Sequence, residues 1–83
     1  MGAHNRAFDL AFRLAVATGA RARIRRGTAG GYRVEAALPG SLSDEAHRAV
    51  LDALASADRY GHRYSDAAQA VWAELDEERE QPG

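Results

Sequence analysis

Two short runs in this chain alternate apolar residues with arginine, and they flank a glycine-rich loop. In 20–26, Ala20, Ala22 and Ile24 alternate with Arg21, Arg23 and Arg25. In 32–38, Tyr32, Val34, Ala36 and Leu38 alternate with Arg33, Glu35 and Ala37. A period of two sends these sets to opposite faces of a strand. Gly27-Thr28-Ala29-Gly30-Gly31 lies between the runs and offers the positive φ angles that a tight reversal needs. The pattern predicts a β-hairpin with one apolar face to bury. The other face carries Arg21, Arg23, Arg25 and Arg33, with Arg26 at the tip. A lone hairpin is marginal in water, so helices must support it or a second hairpin must extend the sheet.

Three helices are expected around this hairpin. The first spans 5–18, with Asn5 as N-cap and Gly19 as its stop. It carries two apolar stripes, Phe8/Ala11/Phe12/Ala15 and Leu10/Leu14/Ala17, and only Arg6, Asp9 and Arg13 fill its polar sector. An ordinary surface helix has one such stripe, so this one is expected to be covered on two sides, by its own chain or by a second subunit. Ser43 caps a second helix that runs to about Tyr60 and stops at Gly61, with Ala46, Val50, Ala53, Leu54 and Ala57 on one face and Leu51 at its edge. Ser65 or Asp66 starts a third helix to about Glu78, with Ala68, Val71, Trp72 and Leu75 as its stripe. The expected fold is thus an α+β single domain over 1–80, ordered α-β-β-α-α with a two-stranded antiparallel hairpin packed on helices, and 81–83 as a disordered tail.

Eighty-three residues make one domain with a small core. There is no cysteine, so disulfides are excluded as a staple. Self-association is the remaining aid to stability, and a homodimer is the expectation. Every basic residue is arginine, and alanine dominates. That bias reads as the mark of a GC-rich bacterial genome. No apolar run reaches the ~20 residues of a membrane span, and no secretory pattern opens the chain, so a cytoplasmic location is expected.

Charge is divided by position. Residues 1–33 hold seven arginines against Asp9 alone; residues 34–83 hold four arginines against eleven acids. Such asymmetry concerns partners or self-association. The arginine row Arg21, Arg23, Arg25, Arg26 and Arg33 is the first candidate site, for a protein partner or for nucleic acid. A second surface is Tyr60, His62, Arg63 and Tyr64, between the second and third helices, where His62 has Asp58 or Asp66 within range as an orienting acid. The spacing of Ala57 and Gly61 is that of the small residue and turn glycine of a helix-turn-helix, but the polar run His62-Arg63-Tyr64-Ser65 is too long for that turn. His4, His47 and His62 make no metal-ligand pattern, and His47 reads as a partly buried structural residue. No metal and no cofactor is assigned.

The leading expectation is a non-enzymatic cytoplasmic interaction or regulatory module. It would bind a protein partner through charge-complementary surfaces, the arginine face and the acidic third helix. A DNA-binding regulator using the hairpin as a ribbon comes second. An enzyme using His62 with Tyr60 or Tyr64 comes third.

Overall fold

A computed structural model describes residues 3–27 and 30–76. The first helix, α1 (Ala3–Thr18), keeps its expected C-terminal end but is already helical at Ala3, so Asn5 lies inside it and is not its N-cap. Gly19 ends it as expected, at φ +70° and with its N–H donating to Ala15 O at 2.9 Å; beside it the Thr18 hydroxyl donates to the Leu14 carbonyl at 2.8 Å and accepts from the Ala20 N–H at 3.1 Å. β1 (Ala22–Arg26) and β2 (Tyr32–Leu38) then pair antiparallel as the hairpin, with Arg23 opposite Glu35 and Arg25 opposite Arg33. Gly30 and Gly31 sit at φ +86° and +71°, which side-chain-bearing residues rarely adopt, so the reversal depends on them.

Ser43 caps α2 (Asp44–Leu54): its Oγ accepts from the Ala46 N–H at 3.0 Å, and Asp44 and Glu45 lie in the positive first turn. α2 stops at Leu54, six residues short of the expected Tyr60. Bonds from Ser56 N–H to Ala53 O and from Ala57 N–H to Leu54 O tighten the exit.

The expected third helix is overturned. Residues 59–75 fold as a second hairpin, β3 (Arg59–Tyr64) and β4 (Gln69–Leu75). The element order is therefore α-β-β-α-β-β, still an α+β domain. The apolar residues at 68, 71, 72 and 75 suit a helix, but Val71, Ala73 and Leu75 equally suit one face of a strand. A run this short does not separate the two periods. β4 pairs with β2 on one side and β3 on the other, giving a four-stranded antiparallel sheet of order β1-β2-β4-β3. Pairing with β2 satisfies a second row of backbone groups that a helix would have left to the solvent at the hairpin edge. Ser65 does cap a structure, but a turn: its N–H donates to Ala68 O at 3.0 Å and its Oγ accepts from Ala68 N–H at 3.1 Å.

Both helices lie on one side of the sheet. Leu10 and Leu14 of α1, Val50, Ala53 and Leu54 of α2, and Val34, Ala36, Val71, Ala73 and Leu75 of the sheet form one core. Alanine at several of these positions lets the helices approach closely. One α1 stripe is covered and the other only at Ala11, whereas Phe8 and Phe12 are 55% and 69% exposed and Val16 beside them 68%. The expectation that α1 is gripped on both sides by its own chain is thereby corrected. His47, expected to be partly buried, is exposed. The expected tail, 81–83, and the helix end at Glu77 and Glu78 lie outside the described residues.

Candidate functional site: an arginine-rich open sheet face

Because the helices occupy one face of the sheet, the other has no layer over it among the described residues. Register decides what it displays. Arg25, Arg33, Glu74 and Arg59 stand side by side across β1, β2, β4 and β3. The next row is Arg23, Glu35, Trp72 and Gly61, and Arg63 stands opposite Ala70 beyond it. Five arginines thus share this face with two glutamates and the single tryptophan.

The carboxylates link three of these arginines into a chain. Glu35 Oε1 accepts from Arg25 Nη2 at 2.9 Å and from Arg33 Nε at 2.8 Å. Arg33 Nη1 donates to Glu74 Oε2 at 3.1 Å, and Arg59 Nε donates to Glu74 Oε1 at 3.2 Å. Arg59 then grips Asp76 with both terminal nitrogens, at 3.2 and 2.6 Å. Cation and anion alternate from one edge of the sheet to the other, which removes the repulsion between the facing Arg25 and Arg33. Arg33 also lies over the Trp72 ring, its guanidinium carbon 4.6 Å from the centroid. The ring in turn lies across Gly61, where a Cβ would meet Cζ2 at 2.5 Å. Glycine is required there for close approach, its φ being ordinary.

Glu35 and Arg33, and Asp76 and Arg59, hold each other charged. Glu35 lies below the usual carboxylate range, first through its hydrogen bond from Arg33 and then through Arg25, against an opposing push from burial. Asp76 is lowered chiefly by Arg59. Arg33 is raised, first by its hydrogen bond to Glu35 and then by Glu74, and Arg59 is raised by Asp76 and Glu74. A lowered folded value means that Glu35 stabilises the fold at pH values above its unfolded pKa, about 4.3. That contribution disappears as pH falls through the folded value. Wild-type protein should therefore lose stability between about pH 5 and about pH 3, and Glu35→Gln should lose less over the same window. Urea midpoints of both proteins at the two pH values check this; parallel losses would remove Glu35 from the account.

The expected arginine row is partly assembled. Arg23, Arg25 and Arg33 emerge together, and Arg23 has no ion pair among the described residues. Arg21 is exposed just ahead of β1. Arg26 departs from the row: it belongs to the helix-side set of β1, with its guanidinium carbon 5.3 Å from the Tyr32 centroid and Nη1 donating to the Tyr32 hydroxyl at 3.3 Å. Sequence reasoning missed Arg59, Glu74, Trp72 and Gly61 as members of this face, because it placed them on or between helices. Period-two alternation through 69–75 was the signal available for Trp72 and Glu74.

The expected second surface is split by the same alternation. Arg63 joins the open face, whereas Tyr60, His62 and Tyr64 point to the helix side, opposite Ala73, Val71 and Gln69. His62 lies edge-on to Tyr64 with centroids 6.1 Å apart. Asp58, one of its expected orienting acids, instead accepts from the Asp76 N–H at 2.8 Å. His62 and His47 line a shallow depression of about 250 Å³ with Leu38, Leu42 and Gln69. The acidic third helix expected as a separate surface does not exist: Glu74 lies inside the arginine face and Asp76 at its margin. Among the described residues no cluster of three or more metal-ligating side chains occurs, and no helix is long and apolar enough to cross a membrane. No family model matches the chain, and neither a characterised protein nor a solved structure matches it.

Proposed function

We propose that this chain is a small non-enzymatic binding module that receives an acidic segment of a protein partner on the open face of its sheet. The observation that carries the reading is the uncovered face bearing five arginines against two glutamates. Ion pairs orient Arg25, Arg33 and Arg59, so less side-chain freedom is left to lose on binding. Arg23 and Arg63 have no ion pair among the described residues, which leaves their guanidinium groups for a ligand. An acidic peptide can set carboxylates at these two positions and avoid the glutamates between them.

The second reading, a DNA-binding regulator, has the row of guanidinium groups in its favour. Against it, Glu35 and Glu74 lie in the middle of the face, where a phosphate backbone would cross. The hairpin is also half of a wider sheet, which a groove admits less readily than a two-stranded ribbon. The proposed location is cytoplasmic. Self-association belongs to the same reading, supported by the exposed Phe8, Phe12, Tyr60 and Tyr64.

Fluorescence anisotropy separates these readings. A labelled acidic peptide of about twelve residues and single- and double-stranded oligonucleotides of matched charge are titrated with the protein at low salt. The peptide should bind, and Arg23→Glu with Arg63→Glu should weaken it by at least about tenfold while the melting curve stays in place. Tighter binding of either oligonucleotide would replace the reading with the nucleic-acid one, and binding of neither class would end both.

A further inference from the structure

The sheet has two free edges, β1 and β3. Edges of this kind pair with other strands unless something prevents it. β1 is protected: antiparallel pairing of two β1 strands about Ile24 sets Arg23 against Arg25 twice over, and pairing about Arg23 or Arg25 sets that arginine against its own copy. β3 carries no such protection. Its sequence, Arg-Tyr-Gly-His-Arg-Tyr, is rich in strand-favouring aromatics. Tyr60 and Tyr64 are 53% and 72% exposed, although they stand on the side of the sheet where the helices lie.

The backbone of β3 is phased for pairing. The Ser65 N–H donates to Ala68 O, which places Ser65, and by alternation Arg63, Gly61 and Arg59, in the set bonded to β4. Tyr60, His62 and Tyr64 therefore direct their N–H and C=O groups away from the sheet, at an edge with no neighbouring strand among the described residues.

We propose that β3 is a self-association edge: two copies of the chain pair antiparallel through β3, about a two-fold axis at His62, into one continuous eight-stranded sheet. Charge selects this register. An axis at Gly61 would set Arg59 of each copy against Arg63 of the other, twice over. An axis at His62 sets Arg63 against Gly61, and Tyr60 against Tyr64, with the two His62 side chains meeting at the centre. Gly61 is the position across which the Trp72 ring lies, so Arg63 of one copy arrives beside the indole of the other. Arg63 has no ion pair among the described residues of its own chain and gains an aromatic neighbour on pairing. The open faces of the two copies then join edge to edge, doubling the arginine surface. The inference rests on the self-association part of the reading above and is independent of what the arginines bind.

Sedimentation velocity from about 10 µM to about 1 mM tests it, the range expected for an edge contact of this small area. Wild-type protein should shift from monomer to dimer across that range. His62→Asp places two carboxylates on the axis and His62→Lys two ammonium groups, so each variant alone should stay monomeric. An equal mixture of the two should recover a heterodimer, which a misfolded variant could not do. His62→Pro gives an independent reading. Its lost N–H faces outward, so the monomer keeps its own ladder bonds while both intermolecular bonds of the central pair disappear. It too should remain monomeric with an unchanged far-ultraviolet spectrum. A wild-type dimer that survives all three His62 variants but dissociates in Phe12→Asp would overturn the β3 edge while keeping self-association, through the exposed stripe of α1. A wild-type monomer at the highest concentration would overturn both.

Discussion

Leu14→Ala should lower the unfolding free energy by about 4 kcal/mol, a large share of the total stability of a domain this size. Leu14 is fully buried, and it stands with Leu10, Val34 and Leu75 among the largest such side chains. The rest of the core leans on alanine: Ala7, Ala53 and Ala73 are each 0% exposed. Alanine has no side-chain length with which to move into a vacated space, so the void left by Leu14 should stay open and the penalty should fall in the upper part of the usual range. A domain of this size holds only about 4–12 kcal/mol in total. Each kcal/mol moves the midpoint by roughly 4–8 °C, so the melt should drop by more than about 10 °C. Circular dichroism at fixed protein concentration reads the shift, the fixed concentration keeping any linkage to assembly constant. A drop of only a degree or two would mean that the α1–sheet contact relaxes around the substitution and is not the rigid centre of the fold.

The second large effect is expected at Gly61→Val. Judged by local preference alone, valine should strengthen a strand and relieve the entropy that glycine loses on folding. The tertiary geometry predicts the reverse. A Cβ at this position would stand 2.5 Å from Trp72 Cζ2, 2.6 Å from Cε2 and 2.8 Å from Nε1. The indole must leave its seat, and it takes with it the surface on which Arg33 is stacked. Displacement of a packed ring of this kind should destabilise by about 1–3 kcal/mol. Because Trp72 is the only tryptophan, its emission reports the event directly: the band should move to the red as the ring enters water. A more stable variant with unchanged emission would show that the ring is not held against Gly61 in solution.

The ion-pair chain across the open face calls for a more modest valuation than its length suggests. Its members are partly exposed, Arg33 and Glu35 least and Arg25 and Asp76 most. Pairs in such settings contribute little individually. Their larger consequence is geometric. By joining Arg25, Arg33 and Arg59 through Glu35 and Glu74, the network spaces positive charge across the sheet and orients it before any ligand arrives.

Local rules and tertiary outcome agree over the first half of the chain. The alternation in 22–26 and 32–38, the glycines at 30 and 31, and the Ser43 cap each act within a few residues, so their effects are readable without knowledge of the rest. The arginine face was legible for the same reason: Arg23, Arg25 and Arg33 must share a side once the hairpin forms. The second half is different in kind. Val71, Trp72 and Leu75 satisfy a helical stripe, while Val71, Ala73 and Leu75 satisfy a strand, and no breaker between Gln69 and Leu75 chooses. The choice is made by β2, whose far edge offers unpaired backbone groups along its length and whose Val34 and Ala36 continue the apolar face that Val71, Ala73 and Leu75 complete. Residue order alone thus determined an α+β chain with a basic hairpin surface. Long-range pairing decided that Glu74 and Arg59 enter that surface, that Trp72 lies over Gly61, and that β3 becomes an open edge. Hydrogen bonds between segments far apart in the chain arbitrate between periods that local spacing leaves degenerate.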